Sequence, residues 1–257
     1  MKFVLPDIRA APFAGALTLL FPRNCLVCGR GVPSGYLCSR CVPRAPYLGP
    51  TCLRCHSPSY HSPSYHSPAQ AETEHQCPNC HLSQSSWNQM RFLWPYESKA
   101  RALLRVMKYQ PSARLTRWAG DELMGAAPKL WSIFRAPKWD ILVQIPSSKR
   151  SLIRREFCVT ALLAKQLTGL ADTWAPTALG LDRNTAPQAR LSPERRINNV
   201  RGAFKADSEV VDGASILLID DVVTTGATIN EACKTLRLAG ARSVDVYALA
   251  RSDRWTR

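Results

Sequence analysis

The stretch ILLIDDVVTTGATIN, residues 216–230, constrains the fold more than any other part of the chain. Its four leading apolar residues, 216–219, read as a buried strand, with Asp220 and Asp221 at the carboxyl end and a short hydroxyl-rich loop opening a helix. In that setting the backbone N–H groups of Thr224, Thr225, Gly226, Ala227 and Thr228 face a phosphate at the positive end of the helix dipole. Threonine hydroxyls add neutral donors, and Gly226 lets the backbone approach closely. The two aspartates fall where ribose 2- and 3-hydroxyls would lie, able to accept their hydrogen bonds or to help hold Mg2+ through water. The geometry suits a ribose 5-phosphate.

The surrounding chain alternates short apolar runs with helical patterns. The periodicity predicts a strand at 92–96, helices at 99–108 and 114–126, a strand at 141–145, a helix at 153–167 and a strand near 174–181. An Arg-rich loop follows, then the strand at 216–219, a helix at 229–239 and a strand at 244–250. Strands separated by helices predict an α/β fold, a parallel sheet flanked by helices.

Eight of the ten cysteines fall between Cys25 and Cys80, in four Cys-x-x-Cys pairs: Cys25 with Cys28, Cys38 with Cys41, Cys52 with Cys55, and Cys77 with Cys80. Two intervening residues let both thiolates reach one tetrahedral ion from a tight turn, and two such turns complete a structural Zn2+ site. Four pairs therefore predict two zinc sites. Sequential pairing is the simpler arrangement, and an interleaved, cross-braced one stays open. Cys-x-x-Cys-His at Cys55-His56 and Cys80-His81 also matches a c-type haem attachment pattern. That alternative requires export and leaves the first two pairs unexplained, so His56 and His81 are expected to be exposed bystanders. Between the last two pairs a five-residue unit, HSPSY, repeats from His56 to Pro68. Its prolines and serines cannot build a core, which reads as a low-complexity insertion. The expected organisation is a lead-in over 1–22, a double zinc ribbon over 23–83 with the insertion at 56–68, and a large domain over 90–257.

Residues 10–21 are apolar, but Asp7 interrupts their start and no small-x-small cleavage site follows, so a short amphipathic helix is expected there rather than an export signal. No apolar run is long enough to span a bilayer. Unexported cysteines sit in a reducing compartment, where metal binding prevails over disulfides, and a cytoplasmic location is expected. The chain holds 34 Lys and Arg against 19 Asp and Glu, a formal charge of +15, which favours phosphorylated or polyanionic partners.

The segment 220–228 closely resembles the phosphoribosyl pyrophosphate motif of type I phosphoribosyltransferases, two acids followed by Thr-Thr-Gly-Ala-Thr. Cysteine knuckles followed by this motif resemble the ComF family, bacterial proteins in which a double zinc ribbon joins a type I phosphoribosyltransferase-like domain. Tyr96, Lys108 with Tyr109, Pro146, and Arg183 with Gln188, Leu191, Arg195, Asn199 and Phe204 also resemble the family pattern. The resemblance implies phosphoribosyl pyrophosphate with Mg2+ as ligand, and a role in natural competence, where imported single-stranded DNA is handled. It implies pyrophosphate binding by Lys149, Arg150 and Arg155, and docking of competence-machinery proteins. One departure stands out. Where the family runs Arg-Gly-Phe-Asn-Gln, this chain has Arg155, Glu156, Phe157, Cys158 and Val159, so a carboxylate replaces glycine beside a highly charged ligand.

Two classes of function follow. As an enzyme, the chain would transfer a phosphoribosyl group to an acceptor that the sequence does not identify. As a binding module, it would retain the fold to bind a nucleotide or nucleic acid while the ribbons dock partners. Basic clusters at 91–117, 149–155 and 183–205, with Trp94, Tyr96, Tyr109 and Trp118 nearby, are the expected single-strand contacts.

Overall fold

The computed structural model describes residues 23–43, 51–57, 77, 80, 85–109, 112–131, 138–182 and 200–252, with the backbone alone at Arg150, Arg154 and Arg155. The expected lead-in helix, most of the repeat, His81, and Arg183, Gln188, Leu191, Arg195 and Asn199 lie outside the described residues. The chain divides into two compact units, Met1–Val42 and Pro43–Arg257. In the first, a tight turn returns the chain on itself, with the N–H of Cys25 donating to the Arg30 carbonyl at 2.7 Å and Asn24 bridging Gly31.

The second unit carries the sheet. In chain order its elements are β1 (Met90–Pro95), α1 (Ser98–Tyr109), α2 (Ala113–Trp131), β2 (Trp139–Gln144), α3 (Lys149–Arg155), α4 (Val159–Gln166) and, after one 3-10 turn, β3 (Ala171–Trp174). There follow β4 (Leu179–Leu181), β5 (Phe204–Ala206), α5 (Ser208–Val211), β6 (Ser215–Val223), α6 (Ala227–Leu238) and β7 (Ser243–Arg251). Five strands form one parallel sheet in the order β1-β7-β6-β2-β3, and β4 pairs with β5 in a small antiparallel sheet.

The apolar run that marks β6 occupies the centre of the sheet, where both faces are covered and a strand must be apolar at every position. Ile216, Leu217, Leu218 and Ile219 are fully buried. They pair with 141–144 of β2 on one side and 244–247 of β7 on the other. The strand continues through the acids to Val223, opposite Arg251, because β7 keeps its backbone partnered there. Helix α2 buries Leu115, Ala119, Leu123, Ala127 and Leu130, a stripe at the spacing one helical face requires. A Cβ on Gly120 would come within 2.9 Å of Gln166 Cβ, so only glycine permits the close approach of α2 and α4.

Two expected elements divide. The helix expected over 153–167 breaks into α3 and α4 at Glu156, whose φ of 62° lies in the left-handed region and caps α3. The strand expected over 174–181 is two strands in different sheets, β3 and β4. No helix among the described residues is long and apolar enough to cross a membrane.

Candidate functional site

In a parallel sheet all carboxyl ends lie on one edge, and adjacent strands deliver their loops side by side. The N–H of Ile145 donates to the Ile219 carbonyl at 2.9 Å, so the Pro146–Ser148 turn leaves the sheet beside Asp220 and Asp221. The sequence-expected phosphate loop and the start of the expected pyrophosphate segment thus meet at the end of β2 and β6. Lys149 opens α3 after Ser148, whose hydroxyl accepts from the Ser151 N–H at 3.3 Å. Arg150 and Arg155 belong to α3 by backbone; their side chains lie outside the described residues.

Both acids are buried at 8% exposure. Lys108, at the end of α1, donates from Nζ to Asp221 Oδ1 at 2.8 Å. Asp220 Oδ1 accepts from the Asp221 N–H at 2.8 Å. Burial, reinforced by the charge on Asp221, pushes the Asp220 carboxyl up to about 8, and Lys108 opposes the shift. Burial thus favours the protonated form of Asp220 in a site that also holds the Asp221 carboxyl and the Lys108 ammonium. Carboxylate oxygens are hard donors of the kind Mg2+ takes, but Lys108 already holds one of them.

The loop after the pair turns at Gly226, which has φ 76° and stands as N-cap of α6. The positive φ suits glycine, and a Cβ there would meet the Trp87 ring at 3.4 Å. Thr225 turns its hydroxyl inward to accept from the Ala227 N–H at 3.2 Å. Thr224 is exposed, whereas Thr225, Gly226, Ala227 and Thr228 are half-buried. Five of the seven expected ribose-phosphate residues thus line one turn at the head of a three-turn helix, with Val222 and Val223 separating them from the acid pair.

The cysteines form two tetrads in sequence order: Cys25, Cys28, Cys38 and Cys41, and Cys52, Cys55, Cys77 and Cys80, each with all four Sγ atoms within 4.8 Å of one another. A Zn–S distance of about 2.3 Å makes the edge of a tetrahedral site about 3.8 Å. Cys28 to Cys38 and Cys55 to Cys77 each measure 3.7 Å, so the donor sets fit zinc in number, chemistry and spacing.

The second tetrad is built into the larger unit. The N–H of Met90 donates to the Arg54 carbonyl at 2.7 Å, Arg91 donates to the Leu53 carbonyl at 3.0 Å, and Arg251 donates to the Cys55 carbonyl. His56, expected to be exposed, is 5% exposed with its ring edge-on to Phe92 at 5.1 Å. Burial, with Arg91 nearby, lowers its pKa to about 4, so it is neutral. The Cys-His sequence signals nothing about this packing, which depends on β1.

The aromatics expected to contact a single strand separate. Trp94 is 3% exposed and stacks on Trp118 at 6.1 Å, whereas Tyr109 is 58% exposed. Trp94 is core. Of the two remaining cysteines, Cys233 is fully buried and Cys158 is half-buried, its Sγ 3.2 Å from the Ser147 hydroxyl.

Residues 163–255 match the phosphoribosyl transferase domain family and residues 16–81 match the double zinc ribbon domain. The DNA utilization protein YhgH of Escherichia coli O157:H7 is 28% identical over 241 residues, 91% of this chain and 99% of that protein. Competence protein ComFC of Streptococcus pneumoniae is 30% identical over 186 residues, 69% of this chain and 81% of the relative. The chain belongs to the ComF family. Its fold is that family's, a type I phosphoribosyltransferase-like parallel sheet with an N-terminal double zinc ribbon. Among solved structures, glutamine phosphoribosylpyrophosphate amidotransferase from B. subtilis complexed with ADP and GMP is similar at 20% identity and a TM-score of 0.36. The match covers 57% of this chain and 30% of that one, so the chain spans under a third of the enzyme.

At Glu156, where the ComF resemblance leads one to expect glycine, the backbone is one that disfavours the glutamate present. Its left-handed conformation is one that glycine adopts freely and a glutamate does not. The Glu156 side chain is exposed. Two site residues were not derivable from chemistry in the sequence. Lys108 entered only through the ComF resemblance, and Trp87 lay in the expected inter-domain boundary, where no motif marks it as a neighbour of the Gly226 turn.

Proposed function

We propose that this ComF-family chain binds phosphoribosyl pyrophosphate, or a related nucleotide, and acts in the cytoplasm in the handling of imported single-stranded DNA during natural competence. The observation that carries the reading is the buried acid pair at the end of the central strand, followed within five residues by the Gly226 turn and the head of α6. The amides of Thr224 to Thr228, apart from the Ala227 N–H that Thr225 already holds, receive the 5-phosphate, and Asp220 and Asp221 accept from the ribose hydroxyls. Lys149, Arg150 and Arg155 hold pyrophosphate. Magnesium, when bound with the ligand, offsets the charge on the pyrophosphate. The residues of this chain need little acid-base chemistry for such a reaction, since the leaving group is already anionic.

Zinc is assigned to the two tetrads as a structural ion, with the ribbons as docking elements for competence-machinery proteins. Calorimetry with phosphoribosyl pyrophosphate and Mg2+ tests the ligand: binding by the wild type and its loss in Asp221→Ala are expected, and no heat from either would refute it.

A second reading, a nucleotide-binding or nucleic-acid-binding module without turnover, is favoured by one observation. Glu156 puts a carboxylate and a left-handed kink where the expected pyrophosphate segment runs. Pyrophosphate release against a panel of bases separates the two. Silence across the panel with intact ligand binding supports the module, and release with any base supports the transferase.

A further inference from the structure

We propose that a cavity behind the phosphate loop is a second ligand site, and that it takes a nucleoside phosphate. It is a solvent-open cavity of about 660 Å3 where the Cys52–Cys55 turn, residues 85–89 and the far half of α6 meet. Small-molecule sites commonly fall between about 300 and 1,000 Å3. Its apolar wall is Leu53, Trp87 and Leu238, its cations are Arg54, Lys234 and Arg237, and among the described residues no carboxylate lines it.

The cations are not equivalent. Arg54 donates to the Ser85 and Trp87 carbonyls at 2.7 and 3.2 Å and so braces the wall. Arg237 donates to the Ala241 and Arg242 carbonyls. Among the described residues the Lys234 ammonium has no partner, and it stands one helical turn from Arg237, so both can meet a single anion. Beside them Leu238 is 79% exposed, a large apolar side chain left in water next to an indole. Two buried polar groups of the same segment, Ser85 Oγ and Trp87 Nε1, have no hydrogen-bond partner among the described residues.

This combination selects the ligand class. Inorganic phosphate would leave Leu53, Trp87 and Leu238 unused, and an uncharged base would leave Lys234 and Arg237 unused. A nucleoside phosphate, free or as one unit of a single strand, uses both, with its base on the apolar wall and its phosphate on the two cations.

The site is distinct from the acid pair but shares a wall with the phosphate loop. Trp87 borders the cavity and also abuts Gly226. Asn230 accepts from the Ser86 N–H at 2.8 Å while its own N–H donates to the Gly226 carbonyl at 2.8 Å. Occupancy of the cavity does not rest on phosphoribosyl pyrophosphate binding at the acids.

The test titrates the full-length, zinc-loaded protein with AMP, with dTMP, and with a short labelled oligothymidylate. Lys234→Glu and Leu238→Gln alter exposed cavity positions, and Asp221→Asn alters the other site. Each cavity variant is expected to weaken binding at the cavity about tenfold or more, whatever Asp221→Asn does to nucleotide held at the acid pair. Binding of the monophosphates supports the site with a free nucleotide as its ligand; binding of the oligonucleotide alone supports it with a single strand as the source. No binding by the wild type overturns the proposal, as does loss in Asp221→Asn without loss in Lys234→Glu. If phosphoribosyl pyrophosphate fails to bind while these ligands bind at the cavity, the acid-pair reading fails alone.

Discussion

Lys108 Nζ stands 2.8 Å from Asp221 Oδ1, so a cation carried by α1 rests on the acid pair before any ligand arrives. The pair is partly shielded, with side-chain exposures of 27% and 12%, and the carboxylate left behind by its removal would face Asp220. Lys108→Met is therefore expected to lower stability by about 1–3 kcal/mol. Adding Asp221→Asn should recover part of that loss, because the charge that Lys108 compensates is then gone. Urea unfolding of the four members of the cycle checks this; additive losses would show that the two groups do not interact.

Asp220 makes stability depend on pH in a stated direction. Its carboxyl is raised from 3.8 to about 8, chiefly by burial, so between those values the folded state binds more protons than the unfolded state. Its contribution is full below about 4 and declines as pH rises through about 8, where ionisation in a buried site becomes unfavourable. Asp220→Asn should flatten the fall of Tm between about pH 4 and 8. A fall unchanged in the variant would assign it to other groups.

Much of this site was legible because its signals are local. The run 216–219 marks a buried strand, the acids fall at its carboxyl end, the small loop opens a helix, and the Cys-x-x-Cys spacing gathers thiols in fours whatever the fold around them. The parts that were not legible depend on tertiary partners. The strand at 216–219 extends to Val223 only because β7 continues beside it to Arg251. The helix over 153–167 breaks at Glu156, where apolar periodicity carries no information about a left-handed φ. His56 looks polar and loop-borne in sequence, yet Phe92, 36 positions later, covers it. Trp94 reads as a stacking platform until Trp118 closes over it.

Glu156 offers a gain-of-function test. Glycine should relieve a left-handed residue and stabilise the protein by about 1 kcal/mol. The same change removes a carboxylate from the expected pyrophosphate segment, so inorganic pyrophosphate should bind more tightly to Glu156→Gly than to wild type. Thermal melts and pyrophosphate titration read the two effects separately; weaker pyrophosphate binding in the variant would exclude repulsion by Glu156.

The two tetrads should differ in what their loss does. The second lies in the same compact unit as the sheet and is held by Arg91 and Arg251, whereas the first lies in Met1–Val42. Cys52→Ser is expected to cost the sheet-bearing unit about 3 kcal/mol or more, on the order of 10 °C in Tm, and one zinc ion. Cys25→Ser is expected to lose one zinc ion and leave that Tm nearly unchanged. Zinc analysis with calorimetric melts checks both, and equal drops in Tm would contradict the assignment.

The most direct measurement is a crystal structure of the protein with phosphoribosyl pyrophosphate and Mg2+. The 5-phosphate is predicted within hydrogen-bond distance of the amides around Gly226, with the ribose hydroxyls on Asp220 and Asp221 and Lys108 displaced or shared. Density for the ligand elsewhere, with the Lys108 to Asp221 contact intact and the Gly226 turn empty, would contradict it.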